Sequence, residues 1–234
     1  MKNYAIILAS GTGSRIGLNI PKQFYKLKNK TILEYSIEIF EKHPNIDNII
    51  VVSNPDFIDL TKEIVQKNNY KKVKRILPGG STRQKSSYIG VNSIADNNAK
   101  VLIHDAVRPF VSRQIIDNCM SALDKYNAVN VAIETSDTIL EIDENNFIKS
   151  IPNRKNLMRC QTPQCFNLTT IKQAHKLANN DQNYTATDDC GLILKYNLDK
   201  VYIVKGDEKN IKITYPSDLI IAENILEMKK NDFK

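Results

Sequence analysis

The apolar positions of this chain change period along its length, and the changes mark out its elements. "YAIILA" at 4–9 is a short unbroken apolar run, the pattern of a strand buried on both faces. "TILEYSIEIF" at 31–40 puts Ile32, Leu33, Ile37 and Phe40 on one helical face, with Thr31 placed to cap it. "DNIIVVS" at 47–53 reads as the next strand. "NPDFIDLTKEIVQKN" at 54–68 opens on a cap and an early proline and continues with a helical period. A strand at "VKRIL" (73–77), a helix from about Arg83 to Ile94 and a strand at "KVLIHD" (100–105) follow. A helix from about Ser112 to Tyr126 and a strand at "AVNVAIE" (128–134) continue the series. Strands alternating with helices in this way predict an α/β fold, a Rossmann-like, mostly parallel sheet with helices on both faces.

The pattern changes at about 135–165. "SDTILEIDENNFIKSIPNRKNLMRCQTPQCF" alternates short strand-like pieces around a turn-like "DENN", and predicts a protruding β-arm that leaves the main sheet. Helices return at "LTTIKQAHKLA" (168–178) and "TDDCGLILKY" (187–196), "KVYIV" and "NIKIT" predict late strands, and "PSDLIIAENILEMKK" (216–230) predicts a capped terminal helix. With no internal repeat and no low-complexity linker, residues 1–234 read as a single domain carrying the arm. Ligands of open α/β sheets sit beyond the carboxyl ends of the strands. The loops after Ala9, after Leu77, after His104 and around 135 are therefore expected to meet.

Composition narrows the class. At 41% hydrophobic and 25% charged residues, the 234-residue chain is ordinary globular material, and a core of that size needs neither disulfides nor a metal. No stretch approaches the roughly 20 apolar residues of a membrane span, so no membrane partner is expected. "MKNYAIILAS" reads as a first strand, not a signal peptide. Cys119, Cys160, Cys165 and Cys190 form no CxxC pair and there are three histidines, so free thiols in a cytoplasmic setting are expected in place of a zinc site. The net charge of +7 admits nucleic-acid binding. The densest basic run, "KKVKR" at 71–75, is broken by Val73 and suits an exposed strand start, so the charge reads as a solvated surface serving an anionic small substrate.

The stretch "LASGTGSRIGLNIPKQF" at 8–24 carries the candidate chemistry. Gly11 and Gly13 directly follow the first strand, where glycines let backbone approach a ligand and loop amides favour anions. A dinucleotide fingerprint fails, because "GTGSRIG" brings its third glycine one residue late and the second strand ends in Ser53, not an acid. The GK[ST] of a Walker loop is absent. What remains is a glycine loop with Arg15 and, after Pro21, Lys22: two cations on a restricted backbone, suited to a polyphosphate.

At these residues the chain resembles the nucleotidyltransferases that activate polyol phosphates, and in particular the cytidylyltransferases for D-ribitol 5-phosphate and 2-C-methyl-D-erythritol 4-phosphate. The likeness continues through "PGGSTRQKS" (78–86), "HDAVRPF" (104–110), "DTI" (137–139), "PNRKNLMRCQTPQ" (152–164), "TDD" (187–189) and "NIKIT" (210–214). It thus spans nearly the whole chain. The resemblance implies the nucleotide-diphospho-sugar transferase type of α/β fold. It implies that Leu8, Ala9, Gly11 and Gly13 hold the ribose and phosphates of CTP, with Gly80, Arg83 and Ser86 around the cytosine. Arg15, Lys22 and Lys212 would be the catalytic cations, Asp105 the ligand of Mg²⁺, and Thr138, Arg154 and Thr162 the acceptor site. It further implies a homodimer in which the arm crosses over, so that Thr138 and Arg154 serve the neighbouring site.

Elementary chemistry agrees with such a reaction. Attack by a phosphate on the α-phosphorus of CTP brings two anions together, so catalysis must neutralise and align. The attacking phosphate is already ionised at pH 7 and needs no protein base. His104 reads as a strand-end residue that orients its loop. Asp188 and Asp189 read as carboxylates at a helix N-terminus, and Cys160 and Cys165 as small apolar fillers. Arg108 suits either substrate contact or bracing of the 104–110 loop. Ser10 stands where the family usually has Gly or Ala. Met158 stands where methylerythritol-phosphate enzymes usually have Trp, and the chain has no Trp. "SDTILEI", "IPNR" and "RCQTPQCF" look like the ribitol-phosphate branch, whereas "GGSTRQKS" and "TDD" occur widely in the methylerythritol branch. The arm favours D-ribitol 5-phosphate, giving CDP-ribitol for cell-envelope polymers. The alternative is the methylerythritol acceptor of isoprenoid biosynthesis. Two rival readings are a basic binding protein on a degenerate nucleotide fold and a sugar nucleotidyltransferase using UTP or ATP.

Overall fold

The structure is a computed structural model that describes residues 1–13, 20–96, 98–181, 184 and 186–231. Arg15 lies outside these residues. The elements in chain order are β1 (Lys2–Ala9), β2 (Lys26–Leu27), β3 (Lys30–Thr31), α1 (Ile32–Glu41), β4 (Asn48–Ser53), α2 (Ile58–Lys67), β5 (Val73–Pro78), α3 (Arg83–Asn92) and β6 (Ala99–Asp105). Then come α4 (Arg113–Ala122), β7 (Ala128–Glu134), β8 (Glu141–Ile142), β9 (Ile148–Ser150), β10 (Met158–Asn167), α5 (Leu168–Asn180), α6 (Asp189–Lys195), β11 (Tyr202–Lys205) and α7 (Pro216–Asn231).

A central sheet has the order β11-β7-β10-β6-β1-β4-β5. All its strands run the same way except β10, which is antiparallel to both β6 and β7. Strand periodicity sends alternate residues to opposite faces. Ala5, Ile7 and Ala9 of β1 join one buried cluster with Leu33 and Phe40 of α1 and Ile115 and Ile116 of α4. Ile6 and Leu8 join the other, with Val91 of α3, Ile171 of α5 and Leu192 of α6. The helices therefore cover both faces, as the apolar alternation predicts. α1 starts on a capping box: Thr31 Oγ1 accepts from Glu34 N–H at 3.2 Å, and Glu34 Oε2 accepts from Thr31 N–H at 2.6 Å. Among the described residues no helix is long and apolar enough to cross a membrane.

Two expectations need correction. The stretch expected to leave the sheet at 135–165 returns to it early: Met158–Asn167 forms β10, wedged between β6 and β7. Polar Gln161, Thr162 and Gln164 hide this strand from an apolar reading, yet all three are buried because their side chains bond to neighbouring loops. Of that stretch, β8 and β9 form a two-stranded sheet apart from the central one, with Phe147 and Ile148 exposed. The second correction is "NIKIT", which is not a strand. Its Ile213 N–H donates to Val107 O at 2.9 Å and its side chain fills a third small cluster with Phe110 and Ile225, so one bond and one anchor replace a ladder.

Candidate active site

The carboxyl ends of β1, β4, β5 and β6 open into a cavity of about 690 Å³, within the range of small-molecule sites. Its wall comes from residues 8–13, 54–56 and 79–83, with Asp105, Val107, Lys22, Gln23 and Lys212. Three of the loops expected to meet do so. The loop around 135 does not line the cavity, because β10 separates β7 from β6 and shifts that strand end one place away.

The glycine loop is held from below. Buried Gln23 donates through Nε2 to Ala9 O at 2.7 Å and Gly11 O at 2.8 Å, and Asn54 N–H donates to Ala9 O at 3.1 Å. With these two carbonyls engaged, N–H groups weigh more in the backbone polarity that the loop offers, which suits an anion. Gln23 and Lys22 belong to a single 3-10 turn, Lys22–Phe24, that begins after Pro21. Gly13 has φ +74°, and a Cβ there would lie 2.8 Å from Lys22 N. Only glycine lets the loop close this tightly on Lys22. On the far wall a Cβ at Gly79 would lie 2.2 Å from Ser10 Cβ.

Ser86, expected in the base pocket, is buried behind the wall. Its Oγ is 2.7 Å from Ser10 Oγ, accepts from Gly80 N–H at 3.1 Å and donates to Thr82 O at 2.9 Å. It ties the first and third loops together. The hydroxyl of Ser10, where Gly or Ala is usual in the family, is thus used.

Asp105, at the end of β6, is the focus of charge. Arg83 Nε donates to its Oδ1 at 3.1 Å and Lys212 Nζ to its Oδ2 at 2.8 Å. Burial alone would raise its pKa, but the Arg83 and Lys212 charges hold it far below the usual carboxylate range. Arg83 also donates through Nη1 to Asp189 Oδ2 at 2.8 Å, while its buried Nη2 has no hydrogen-bond partner among the described residues. The cavity wall therefore carries the cations Lys22, Arg83 and Lys212 and the carboxylates Asp56 and Asp105, among neutral residues that include Ser10, Asn54 and 79–82.

Beneath Asp105 lies a buried relay whose direction follows from its partners. His104 Nε2 faces Arg108 O at 3.0 Å. A carbonyl only accepts, so Nε2 carries the proton. His104 Nδ1 then accepts from Thr162 Oγ1 at 2.9 Å, and Thr162 Oγ1 accepts from Asp105 N–H at 3.1 Å. Burial pushes the His104 pKa down to about 4 against the bond to Arg108, so the ring is neutral near pH 7 and orients its loop. Arg108 braces the same region, donating to Asn210 O at 2.8 Å and Cys160 O at 3.2 Å.

The expected acceptor residues are not brought together in this cavity. Thr162 is buried with its hydroxyl engaged by Asp105 and His104, so it supports the floor of the site. Thr138 is exposed, and Arg154 donates to Ser136 O at 2.8 Å; neither lines the cavity. Asp188 caps α6 through Gly191 N–H at 2.8 Å, the helix-terminal role expected, whereas Asp189 is a buried partner of Arg83. Cys165 is a core filler, but Cys160 is exposed. Sequence reasoning assigned no role to Gln23, read Asn54 only as a helix cap and did not tie Asp189 to Arg83. Gln23 had one signal, its place beside Lys22.

Among the described residues no group of three or more His, Cys, Asp or Glu side chains is placed to hold a metal ion. Asp105, which lines the cavity wall with Asp56, fits a magnesium ion that takes its other ligands from phosphates and water.

The architecture recurs in known proteins. The structure matches that of 4-diphosphocytidyl-2C-methyl-D-erythritol synthase from Anaerococcus prevotii with a TM-score of 0.85 and 32% identity, over 97% of this chain and 98% of that one. The chain is 42% identical to 2-C-methyl-D-erythritol 4-phosphate cytidylyltransferase of Clostridium botulinum, over 97% of this chain and 98% of the relative. It is 43% identical to the bifunctional ribulose 5-phosphate reductase/CDP-ribitol pyrophosphorylase Bcs1 of Haemophilus influenzae, over 98% of this chain but only 49% of that relative's length. Fold and relatives define the class, a nucleotidyltransferase that uses CTP. The family model described as IspD, 2-C-methyl-D-erythritol 4-phosphate cytidylyltransferase, matches residues 4–228, and the chain belongs to that family of cytidylyltransferases.

Proposed function

We propose that this enzyme moves CMP from CTP to the phosphate of a short polyol phosphate, giving a CDP-polyol and pyrophosphate, and that its acceptor is D-ribitol 5-phosphate. The observation that carries the reaction is one cavity that brings Lys22, Arg83 and Lys212 together with an anion-suited glycine loop and a carboxylate, Asp105. The neutral residues of the wall take the nucleoside, and the loop and lysines take the triphosphate. An oxygen of the acceptor phosphate forms a bond to the α-phosphorus as the bond to the bridging oxygen breaks, and pyrophosphate leaves with that electron pair. Lys22, Lys212 and Arg15 carry the growing negative charge and hold the groups in line. Lys212 exchanges its contact with Asp105 for one with the phosphates. Asp105 would hold Mg²⁺ together with the triphosphate, and that ion would supply further charge neutralisation.

The ribitol acceptor is supported by the arm sequences, the absence of Trp, and the likeness to a protein named for CDP-ribitol. The methylerythritol acceptor has its own support in the matching family model and in relatives of full length. Because Thr138 and Arg154 stand away from the cavity, the proposal includes a homodimer in which they serve the neighbour's site. The apolar residues exposed on the hairpin, among them Ile142, Phe147 and Ile148, suit a protein contact. CTP is a cytoplasmic metabolite, and the reading puts the enzyme there. The test is pyrophosphate release from CTP and Mg²⁺ with the two acceptors in parallel. Faster turnover with D-ribitol 5-phosphate is expected; preference for the methylerythritol phosphate would move the enzyme to the isoprenoid pathway.

A further inference from the structure

Arg83 is held by more than the active site. It is the first residue of α3, and its guanidinium spans two carboxylates: Nε on Asp105 Oδ1 at 3.1 Å and Nη1 on Asp189 Oδ2 at 2.8 Å. Asp189, the first residue of α6, is only 1% exposed. Its other oxygen, Oδ1, accepts from Ser87 Oγ at 2.5 Å and lies 3.4 Å from His175 Nε2, which in turn is 3.3 Å from Ser87 Oγ. Ser87 is one helical turn after Arg83, so both reach Asp189 from one face of α3. The backbone of Asp189 is fixed as well, since its N–H donates to Gln164 Oε1 at 2.8 Å and Gln164 Nε2 donates to Asp188 Oδ2 at 2.9 Å. Helices α3, α5 and α6 and strand β10 thus converge on one carboxylate that does not line the cavity.

A serine, a histidine and an aspartate in contact invite a hydrolytic reading, and the geometry rejects it. All three are buried, and the aspartate bonds to the serine hydroxyl itself, leaving no exposed nucleophile. The cluster's outlet is Arg83. With Asp189 in place, Arg83 is balanced by one buried carboxylate before it meets the second. Without it, an unbalanced guanidinium would face Asp105 directly, beside Lys212, and weaken that carboxylate's hold on an incoming cation.

We propose that Asp189, oriented by Ser87 and His175, is a positioning residue. It fixes Arg83 edge-on to Asp105 and offsets part of the guanidinium charge, so that Asp105 keeps its attraction for the divalent cation that arrives with the nucleotide. The inference rests on the CTP reading above. Arg83 then acts as a fixed charge beside Asp105, its Nε and Nη1 committed to carboxylates and not to the base.

The test compares wild type with Asp189→Asn and Ser87→Ala. CTP binding is measured by calorimetry with and without Mg²⁺, and pyrophosphate release is measured across Mg²⁺ concentrations. Wild type must first bind CTP and release pyrophosphate; its failure to do so would count against the functional reading itself. Given that, Asp189→Asn is expected to raise the Mg²⁺ concentration for half-maximal rate about tenfold or more, the usual scale for residues that orient a metal ligand. It is also expected to weaken CTP binding in the presence of Mg²⁺ more than in its absence. Ser87→Ala should shift both in the same direction by less, and it decides the matter if Asp189→Asn does not fold. Unchanged Mg²⁺ dependence in a folded variant, or a fall in kcat alone with that dependence intact, would overturn the proposal and leave Asp189 a structural ion pair.

Discussion

Lys212 Nζ lies 2.8 Å from Asp105 Oδ2, joining the segment before α7 to the end of β6 across the mouth of the cavity. Both groups line the same space, so the ion pair is in place before any substrate arrives. Lys212→Ala and Lys22→Ala are each expected to cost about 2.7–4 kcal/mol of transition-state stabilisation, the scale for one preorganised donor to a developing anion. Steady-state kcat/KM for both substrates reads this directly. Turnover near that of wild type in either variant would remove that lysine from the mechanism.

Gln23 is expected to matter as much to binding as the lysine beside it. Its amide holds the carbonyls of Ala9 and Gly11, 12 to 14 residues away. Gln23→Ala leaves those carbonyls short of a partner and should cost about 1–3 kcal/mol. The loss should appear mainly as a raised KM for CTP, with a smaller change in the KM for acceptor. Equal effects on both would show that the loop is not specific to the nucleotide.

Asp189 gives stability a defined dependence on pH. Burial favours its neutral form, but the Arg83 charge and the bonds from His175 and Ser87 outweigh this and lower its pKa from 3.8 to about 2. A carboxyl whose folded pKa is depressed stabilises the fold above its unfolded value and loses that contribution as pH falls through the folded one. Wild type should therefore exceed Asp189→Asn in stability by about 2 kcal/mol above pH 4, with the gap closing toward pH 2. Urea unfolding of both proteins across this range checks it. A gap that stays constant with pH would contradict the assignment.

The proposed crossing of the arm predicts complementation. If Arg154 serves the neighbour's cavity and Lys22 its own, then Lys22→Ala and Arg154→Ala proteins, each weak alone, form one intact site per mixed dimer. Unfolding and refolding an equal mixture should restore roughly a quarter of wild-type activity, the statistical yield for a two-fold dimer. No recovery above the separate variants would place Arg154 in its own subunit's site or outside the reaction.

Much of this architecture is legible in the chain because local and global signals coincide. The buried runs of β1, β4 and β6 and the Thr31 capping box each declare themselves within ten residues. So does the glycine loop, whose suitability for an anion is read from residue types and spacing. The less legible parts depend on distant partners. β10 looks like part of an arm because Gln161, Thr162 and Gln164 are polar, and only the loops they bond to explain their burial. Thr162 reads as a substrate ligand until His104 and the Asp105 amide are seen to share its hydroxyl. Asp189 and Arg83 are separated by 106 residues, and no spacing rule links them.

The most direct test of the account follows the phosphorus atoms. ³¹P NMR of CTP, Mg²⁺, D-ribitol 5-phosphate and enzyme should show loss of the triphosphate signals. Two coupled resonances of a new diphosphate diester should appear in step with pyrophosphate. That outcome establishes transfer of CMP to a phosphate acceptor. Triphosphate that stays intact with both polyol phosphates, or that breaks down to CDP and inorganic phosphate, would contradict the central claim that this cavity joins a phosphate to the α-phosphorus of CTP.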